Sequence, residues 1–133
     1  MEDPRLYILM RTDMDSMNAG KAMAQAAHAA NMFQTLCADE TRGLGAYNEW
    51  FTQTDQGFGT TITLAVPNEK ELFAQIERAK QLQLMAGIVH DPTYPVRDGK
   101  VTHLIPVNTC GFIFVPEPQI APRTLLTTLP LHP

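Results

Sequence analysis

The stretch that most constrains the fold is Leu6-Tyr7-Ile8-Leu9-Met10, an unbroken apolar run. A segment apolar at every position fits a strand buried on both faces, which needs layers of structure above and below it. The chain leaves it through a polar loop, Arg11 to Asn18, and enters Ala19 to Cys37, which is rich in Ala and Met and reads as helix. Ala19, Met23, Ala26, Ala30, Phe33 and Cys37 recur at helical spacing and predict the buried face. Small alanines there let the helix sit close to a sheet, and Asn18 is placed to cap it.

The remaining elements follow by the same logic. Ala38 to Gly45 reads as a connection and Ala46 to Phe51 as a short second helix. Thr60 to Val66 alternates and is β-branched, which predicts a strand. Pro67 stops it, and Asn68 caps an amphipathic helix over Glu69 to Leu84, with Leu72, Ile76, Ala79 and Leu82/Gln83 along one side. Met85 to His90 is a third strand, expected to end at Pro92, which cannot donate to a sheet ladder. Asp98-Gly99 marks a turn, Val101 to Val107 reads as an extra strand and Thr109 to Val115 as the last core strand. Ala121 to Thr128 reads as one short helix. The order predicts an α/β fold: a three-layer α/β/α sandwich with a central mixed sheet of about four strands and right-handed crossovers.

At 133 residues, residues 1–133 make one domain. With 44% apolar and 18% charged residues the chain can bury a real core. The net charge of −4 argues against binding nucleic acid by bulk charge, though a local basic patch remains compatible with it. Cys37 and Cys110 cannot build a disulfide framework and read as reduced, buried thiols. No stretch approaches the roughly 20 apolar residues of a membrane span, and the N-terminal run is too short for a signal peptide. The expectation is a soluble, cytoplasmic protein.

Ligands in open α/β sheets bind beyond the carboxyl ends of strands. Two such ends carry polar residues, Arg11-Thr12-Asp13 and His90-Asp91. If the two strands are parallel, both ends open on one rim. On the first helix Lys21, Gln25, His28 and Met32 share a second face. Lys21 stands in the first turn, where a cation opposes the helix dipole. Beside free backbone N–H groups it makes an anion site for a phosphate or an oxyanion; otherwise it is a solvated lysine paired with Asp13 or Asp15. His28 suits a general base, with an ordinary pKa of about 6.5, or is a hydrogen-bonded structural histidine. Asp91 orients a water or a lysine, or caps the turn before Thr93. Gly20-Lys21 is not a P-loop, since Asp15 and Ala22 occupy its required positions. The histidines hold no H-x-x-x-H or H-x-H pair, so no dedicated metal site is expected, and no nucleophile elbow is present. Tyr47, Trp50 and Phe51 read as core or as a dimer patch rather than a base-stacking platform.

The segment RTDMDSMNAGKAMAQAAHAA, from Arg11 to Ala30, resembles the signature of the type II peptidyl-tRNA hydrolases, the archaeal and eukaryotic kind. Arg11, Thr12, Asp13, Met17, Gly20, Lys21, Ala24, Gln25, His28 and Ala29 fall on family positions when one extra loop residue is allowed. Ile88-Val89-His90-Asp91, Thr109-Cys110 and Leu126 to Leu131 align in order further on, so the resemblance covers nearly the whole chain. It implies hydrolysis of the ester joining a peptide to the terminal ribose of tRNA. It also implies no cofactor and a homodimer. Carried over by position, the catalytic residues are Lys21 and Asp91, with Thr93 and His28 beside them. Arg11, Asp13, Asn18, Gly20 and Gln25 would contact substrate. The chain departs from the family at its catalytic threonine, which aligns with Pro95 so that Thr93 stands in, and at its first loop lysine, which is Ala19 here. The stretch between Asp91 and Thr109 is longer than the family's. These departures motivate an alternative reading, a catalytically weak or inactive relative serving as an RNA- or protein-binding module. A third reading is a small hydrolase or transferase acting on an anionic metabolite at the same rim.

Overall fold

The computed structural model describes residues 4–39, 44–116, 126 and 128–133. It shows seven elements: β1 (Arg5–Arg11), α1 (Ala19–Asp39), α2 (Leu44–Thr52), β2 (Thr61–Val66), α3 (Glu69–Gln81), β3 (Met85–Asp98) and β4 (Val101–Val115). The helix expected over Ala121 to Thr128 lies largely outside the described residues, as does part of the connection after Ala38.

The sheet order is β2-β1-β4-β3. β1 is parallel to β2 and antiparallel to β4, and β3 is antiparallel to β4. So β1, β2 and β3 run one way and β4 opposes them. The carboxyl ends of β1 and β2 therefore share one rim with His90-Asp91.

Alternation along the central strands assigns the layers. Leu6, Ile8 and Met10 pack with Phe112 and Phe114 against α1 and α2. Tyr7 and Leu9 pack with Ile113 and Val115 against Leu72, Ile76 and Ala79 of α3. Two buried faces account for the unbroken apolar run at β1. Phe33 centres the first face, its ring 5.3 Å from Trp50 and 4.9 Å from Phe114. Trp50 is 2% exposed and its Nε1 donates to the Thr60 carbonyl at 2.9 Å. Gly59 is required beside it, since a Cβ there would run into the Trp50 carbonyl. The thiols of Cys37 and Cys110 are both buried.

Three expectations need correction. First, the buried stripe of α1 is Ala22, Gln25, Ala29, Phe33 and Cys37, while Met23 is 68% exposed and Ala19 is also exposed. Alanine flanks both stripes, so apolar spacing alone does not fix the rotation. Second, α3 ends at Gln81 rather than Leu84: Gln83 takes a left-handed conformation, φ 61°, and Leu82 caps the helix. Third, β3 does not stop at Pro92. It continues to Asp98 and pairs with a β4 that merges the two strands expected separately. β3 is the sheet's edge strand, where a missing N–H is tolerated. Pro92 and Thr93 also fall in a register shift between Asp91 and Tyr94, a bulge that interrupts the ladder. The hairpin turns through Gly99-Lys100 between the paired residues Asp98 and Val101, with Gly99 at φ 61° in the first loop position, so Asp98 ends the strand and is not itself in the turn.

Beyond Leu126, the C-terminal segment covers the free edge of β2. Leu131 bridges Leu64, Ala65 N–H donates to the Pro130 carbonyl at 2.8 Å, and His132 N–H donates to Thr63 at 2.9 Å.

Candidate active site

A second bulge shapes the rim. Between Val89 and His90 the β4 partner advances from Cys110 to Asn108, so Thr109 is the extra residue. Bulges re-aim side chains, and this one turns both Thr109 and Cys110 toward α1. The Thr109 hydroxyl donates to Gln25 Oε1 at 2.6 Å. Gln25 Nε2 in turn donates to Asp91 Oδ2 at 2.7 Å. Thr109, Gln25 and Asp91 are all buried, at 0%, 3% and 8% exposure. A glutamine is tolerated inside α1 because both ends of its amide are satisfied.

The other oxygen of Asp91, Oδ1, accepts the Thr93 N–H at 2.8 Å and the Thr93 hydroxyl at 3.2 Å. His28 Nε2 stands 4.0 Å from Oδ2 and is half exposed. Burial alone would raise the Asp91 pKa. The bonds from Gln25 and Thr93, with His28 nearby, outweigh it and hold the carboxyl below its ordinary value. Asp91 opens on a cleft of about 350 Å³ that His28, Met32, Val89, His90, Pro92 and Thr93 complete. Cys110 lies beneath, its thiol donating to the Gln25 carbonyl at 3.4 Å and pushed up to about 12 by burial, so it stays protonated.

Lys21 lies one turn before Gln25, on the same side of α1. Its Nζ sits over the Tyr94 ring, 5.5 Å from the centroid, within cation–π range. No described carboxylate forms an ion pair with it, so the pairing with Asp13 or Asp15 weighed from the sequence is not seen. Tyr94 is fully buried, and its hydroxyl meets the Ser16 hydroxyl at 3.1 Å and Met17 Sδ at 3.7 Å. The β1–α1 loop thus closes over β3 through Tyr94, and the lysine stands above that contact.

The other expected substrate contacts have local partners. Arg11 forks onto Asp13, Nε to Oδ1 at 3.0 Å and Nη2 to Oδ2 at 2.9 Å. Its Nη1 also donates to the Asn108 carbonyl at 2.9 Å and to Glu69 at 3.3 Å. This pairing lowers the Asp13 pKa and raises that of Arg11. Asn18 caps α1, its Oδ1 accepting the Lys21 N–H at 2.9 Å. Gly20 is exposed in the first turn, with only ordinary contact awaiting a Cβ. Among the described residues no cluster of His, Cys, Asp or Glu is arranged to hold a metal ion.

Of the residues expected from the sequence, Gln25, His28, Asp91 and Thr93 meet around the cleft, whereas Lys21 stands over Tyr94 and is not among the residues that line it. Sequence reasoning missed Thr109 and Tyr94 as members of the site. The hydroxyl of Thr109 in an otherwise apolar strand was a readable signal, whereas Tyr94 was hidden between two prolines.

Comparison with known proteins bears on this site. The family model described as peptidyl-tRNA hydrolase PTH2 matches residues 5–121. A peptidyl-tRNA hydrolase of Sulfolobus acidocaldarius is 34% identical over 87 residues, covering 65% of this chain and 71% of that protein. A peptidyl-tRNA hydrolase of Sulfurisphaera tokodaii is 32% identical over 87 residues, covering 65% and 69%.

Proposed function

The chain belongs to the peptidyl-tRNA hydrolase family PTH2, and from that premise we propose that the cleft beside Asp91 is where it does its chemistry. It is an enzyme that hydrolyses the ester between peptide and tRNA in peptidyl-tRNA, returning free tRNA to translation. Water must attack the ester carbonyl, charge must be stabilised on the carbonyl oxygen, and the ribose hydroxyl must leave with a proton.

Asp91, held ionised, orients the attacking water. A carboxylate with a lowered pKa is a good hydrogen-bond acceptor but a weak base, so proton uptake falls to His28 across the cleft mouth. Lys21 supplies positive charge to the developing oxyanion or the terminal phosphate. Thr93 fixes the Asp91 carboxylate, standing in for the family threonine that aligns with Pro95. Arg11, Asp13, Asn18 and Gly20 shape the loop that presents Lys21, and substrate contact by them is secondary to that. The observation that carries this reading is the buried chain Thr109–Gln25–Asp91, which ends on an ionised carboxylate at an open cleft.

The test is cleavage of peptidyl-tRNA by purified protein. Lys21→Ala and Asp91→Asn are each expected to lower kcat/KM by about 10²–10³-fold while the protein stays folded by circular dichroism. Full activity in both variants would remove the site from Lys21 and Asp91. The proposal includes a cytoplasmic location and a homodimer. Among the described residues no helix is long and apolar enough to cross a membrane, and light scattering at micromolar concentration tests the dimer.

A further inference from the structure

Strand β4 outruns β1. Its pairing with β1 ends at Cys110, whereas its pairing with β3 continues to Val101, so residues 96–98 and 101–105 make a two-stranded arm that turns through Gly99-Lys100. Residues 101–106 are all exposed, and Val101, Leu104 and Ile105 are large apolar side chains among them. Clustered apolar exposure marks an interaction surface.

Register assigns the two faces of the arm, because directly paired residues share a face and neighbours along a strand alternate. Asp91 faces α1 through Gln25, and Val107 is its partner in the ladder. Tyr94 faces the start of α1 through Ser16 and Lys21, and Ile105 is its partner. Counting on by twos, Val96 with His103 and Asp98 with Val101 complete that face. The His103–Asp98 contact at 3.7 Å joins them across it. The cleft-side face therefore runs from Asp91 past Lys21 and Tyr94 to Val96, Ile105 and Val101, and Leu104 lies on the other face. Ile105 stands two residues along β4 from the partner of Asp91, roughly 7 Å, and Val101 stands six, roughly 20 Å. An extended peptide advances about 3.3–3.6 Å per residue, so a chain esterified beside Asp91 covers this distance with about two to six residues.

The charge of the face separates peptide from RNA. Between Tyr94 and the turn its ionisable groups are Asp98 and His103. Arg97 is on the other face and donates to the Gly99 carbonyl. A phosphate backbone requires cations, whereas an apolar peptide requires only the surface that Val96, Ile105 and Val101 supply. We propose that the cleft-side face of the β3–β4 arm is a shelf for the peptide part of peptidyl-tRNA, holding apolar side chains about two to six residues from the ester. The proposal rests on the hydrolysis described above and adds a preference among its substrates.

The test is cleavage of three substrates on one tRNA: acetyl-glycyl-tRNA, too short to reach the arm, and glycyl esters extended by either four leucines or four glycines. Wild-type protein is expected to favour the leucine chain over the glycine chain by about tenfold in kcat/KM, the scale of partly burying one or two leucine side chains. Val101→Ser combined with Ile105→Ser removes that preference, measured relative to acetyl-glycyl-tRNA in the same variant. Leu104→Ser keeps it, since Leu104 is on the other face and as exposed as Val101, 62% against 56%. Circular dichroism follows folding, and Val101→Ser alone, at the tip of the arm, lowers the preference severalfold if the double variant unfolds. Equal wild-type rates on the leucine and glycine chains would overturn the shelf. So would a fall on acetyl-glycyl-tRNA as large as that on the leucine chain in the double variant, which would assign the arm to the tRNA. Loss of the preference in Leu104→Ser as well, with a change of mass by light scattering, would assign it to contact between copies of this chain. Wild-type protein that cleaves none of the three would remove the hydrolase reading itself, and the shelf with it.

Discussion

Gln25 has a single amide and two buried neighbours that depend on it, the Thr109 hydroxyl and Asp91 Oδ2. Gln25→Leu keeps the volume and deletes both bonds, leaving the Thr109 hydroxyl only its long contact to Cys110 Sγ and Asp91 Oδ2 only His28 at 4.0 Å, at a cost of about 1–3 kcal/mol. Its effect on Asp91 separates it from a merely structural residue. Asp91 is held below its ordinary pKa partly by Gln25, against burial acting in the other direction. Removing Gln25 lets the burial effect gain, so the Asp91 pKa rises, which an NMR titration of the Asp91 carboxyl carbon reads directly. An unmoved Asp91 titration in Gln25→Leu would mean that Gln25 does not tune the carboxylate. Thr109→Val, which strands Gln25 Oε1, is expected to lower stability by about 1–3 kcal/mol, and Thr109→Ser is expected to restore most of it. Chemical denaturation of the pair checks this. Of these residues, Gln25 was legible as a polar position on a helix face. Its burial was not, because nothing in the sequence announces that a bulge on β4 will offer it a hydroxyl.

Elements were legible where one physical signal dominated. Strand β1 follows from an apolar run that only a two-faced core tolerates, and the caps Asn18 and Asn68 both accept the third-residue N–H as their chemistry predicts. The rotation of α1 was not legible, because alanine is small and indifferent, and the choice of face fell to Gln25 and Phe33 through tertiary contacts. That choice is testable. Met23 is exposed while Ala29 is fully buried against the sheet. Met23→Gln is expected to change stability by no more than about 0.5 kcal/mol. Ala29→Gln overpacks the layer and adds an unsatisfied amide, costing about 2 kcal/mol or more. Comparable effects in thermal denaturation would mean that the helix is rotated otherwise. The length of β3 was hidden for a related reason. Prolines end central strands, and only the sheet order reveals that β3 is an edge with a bulge where Pro92 falls.

At the scale of the molecule, the two core clusters lie on opposite faces of the sheet, and polar ties at the rim link the elements above and below it. Arg11 is the chief of these. Its side chain is 13% exposed and joins Asp13 in its own loop, Glu69 at the start of α3, and the carbonyl of Asn108 next to Thr109. The planar fork matches two carboxylate oxygens while reaching the carbonyl, a geometry that a point-charge ammonium cannot reproduce. Arg11→Lys is therefore expected to lose most of what Arg11→Met loses, about 1.5–3 kcal/mol from charged hydrogen bonds. The pH dependence has a definite sign. The folded-state pKa of Asp13 is lowered, with its hydrogen bond to Arg11 the leading cause. Its contribution is complete above the unfolded carboxyl pKa of about 3.9 and is lost as pH falls through the folded value. The stability gap between wild type and Arg11→Met should then be constant near neutrality and narrow on acidification below about pH 4. Urea denaturation at several pH values measures it. A gap that held constant into acid would place the contribution of Arg11 in its bond to the Asn108 carbonyl rather than in the pairing with Asp13.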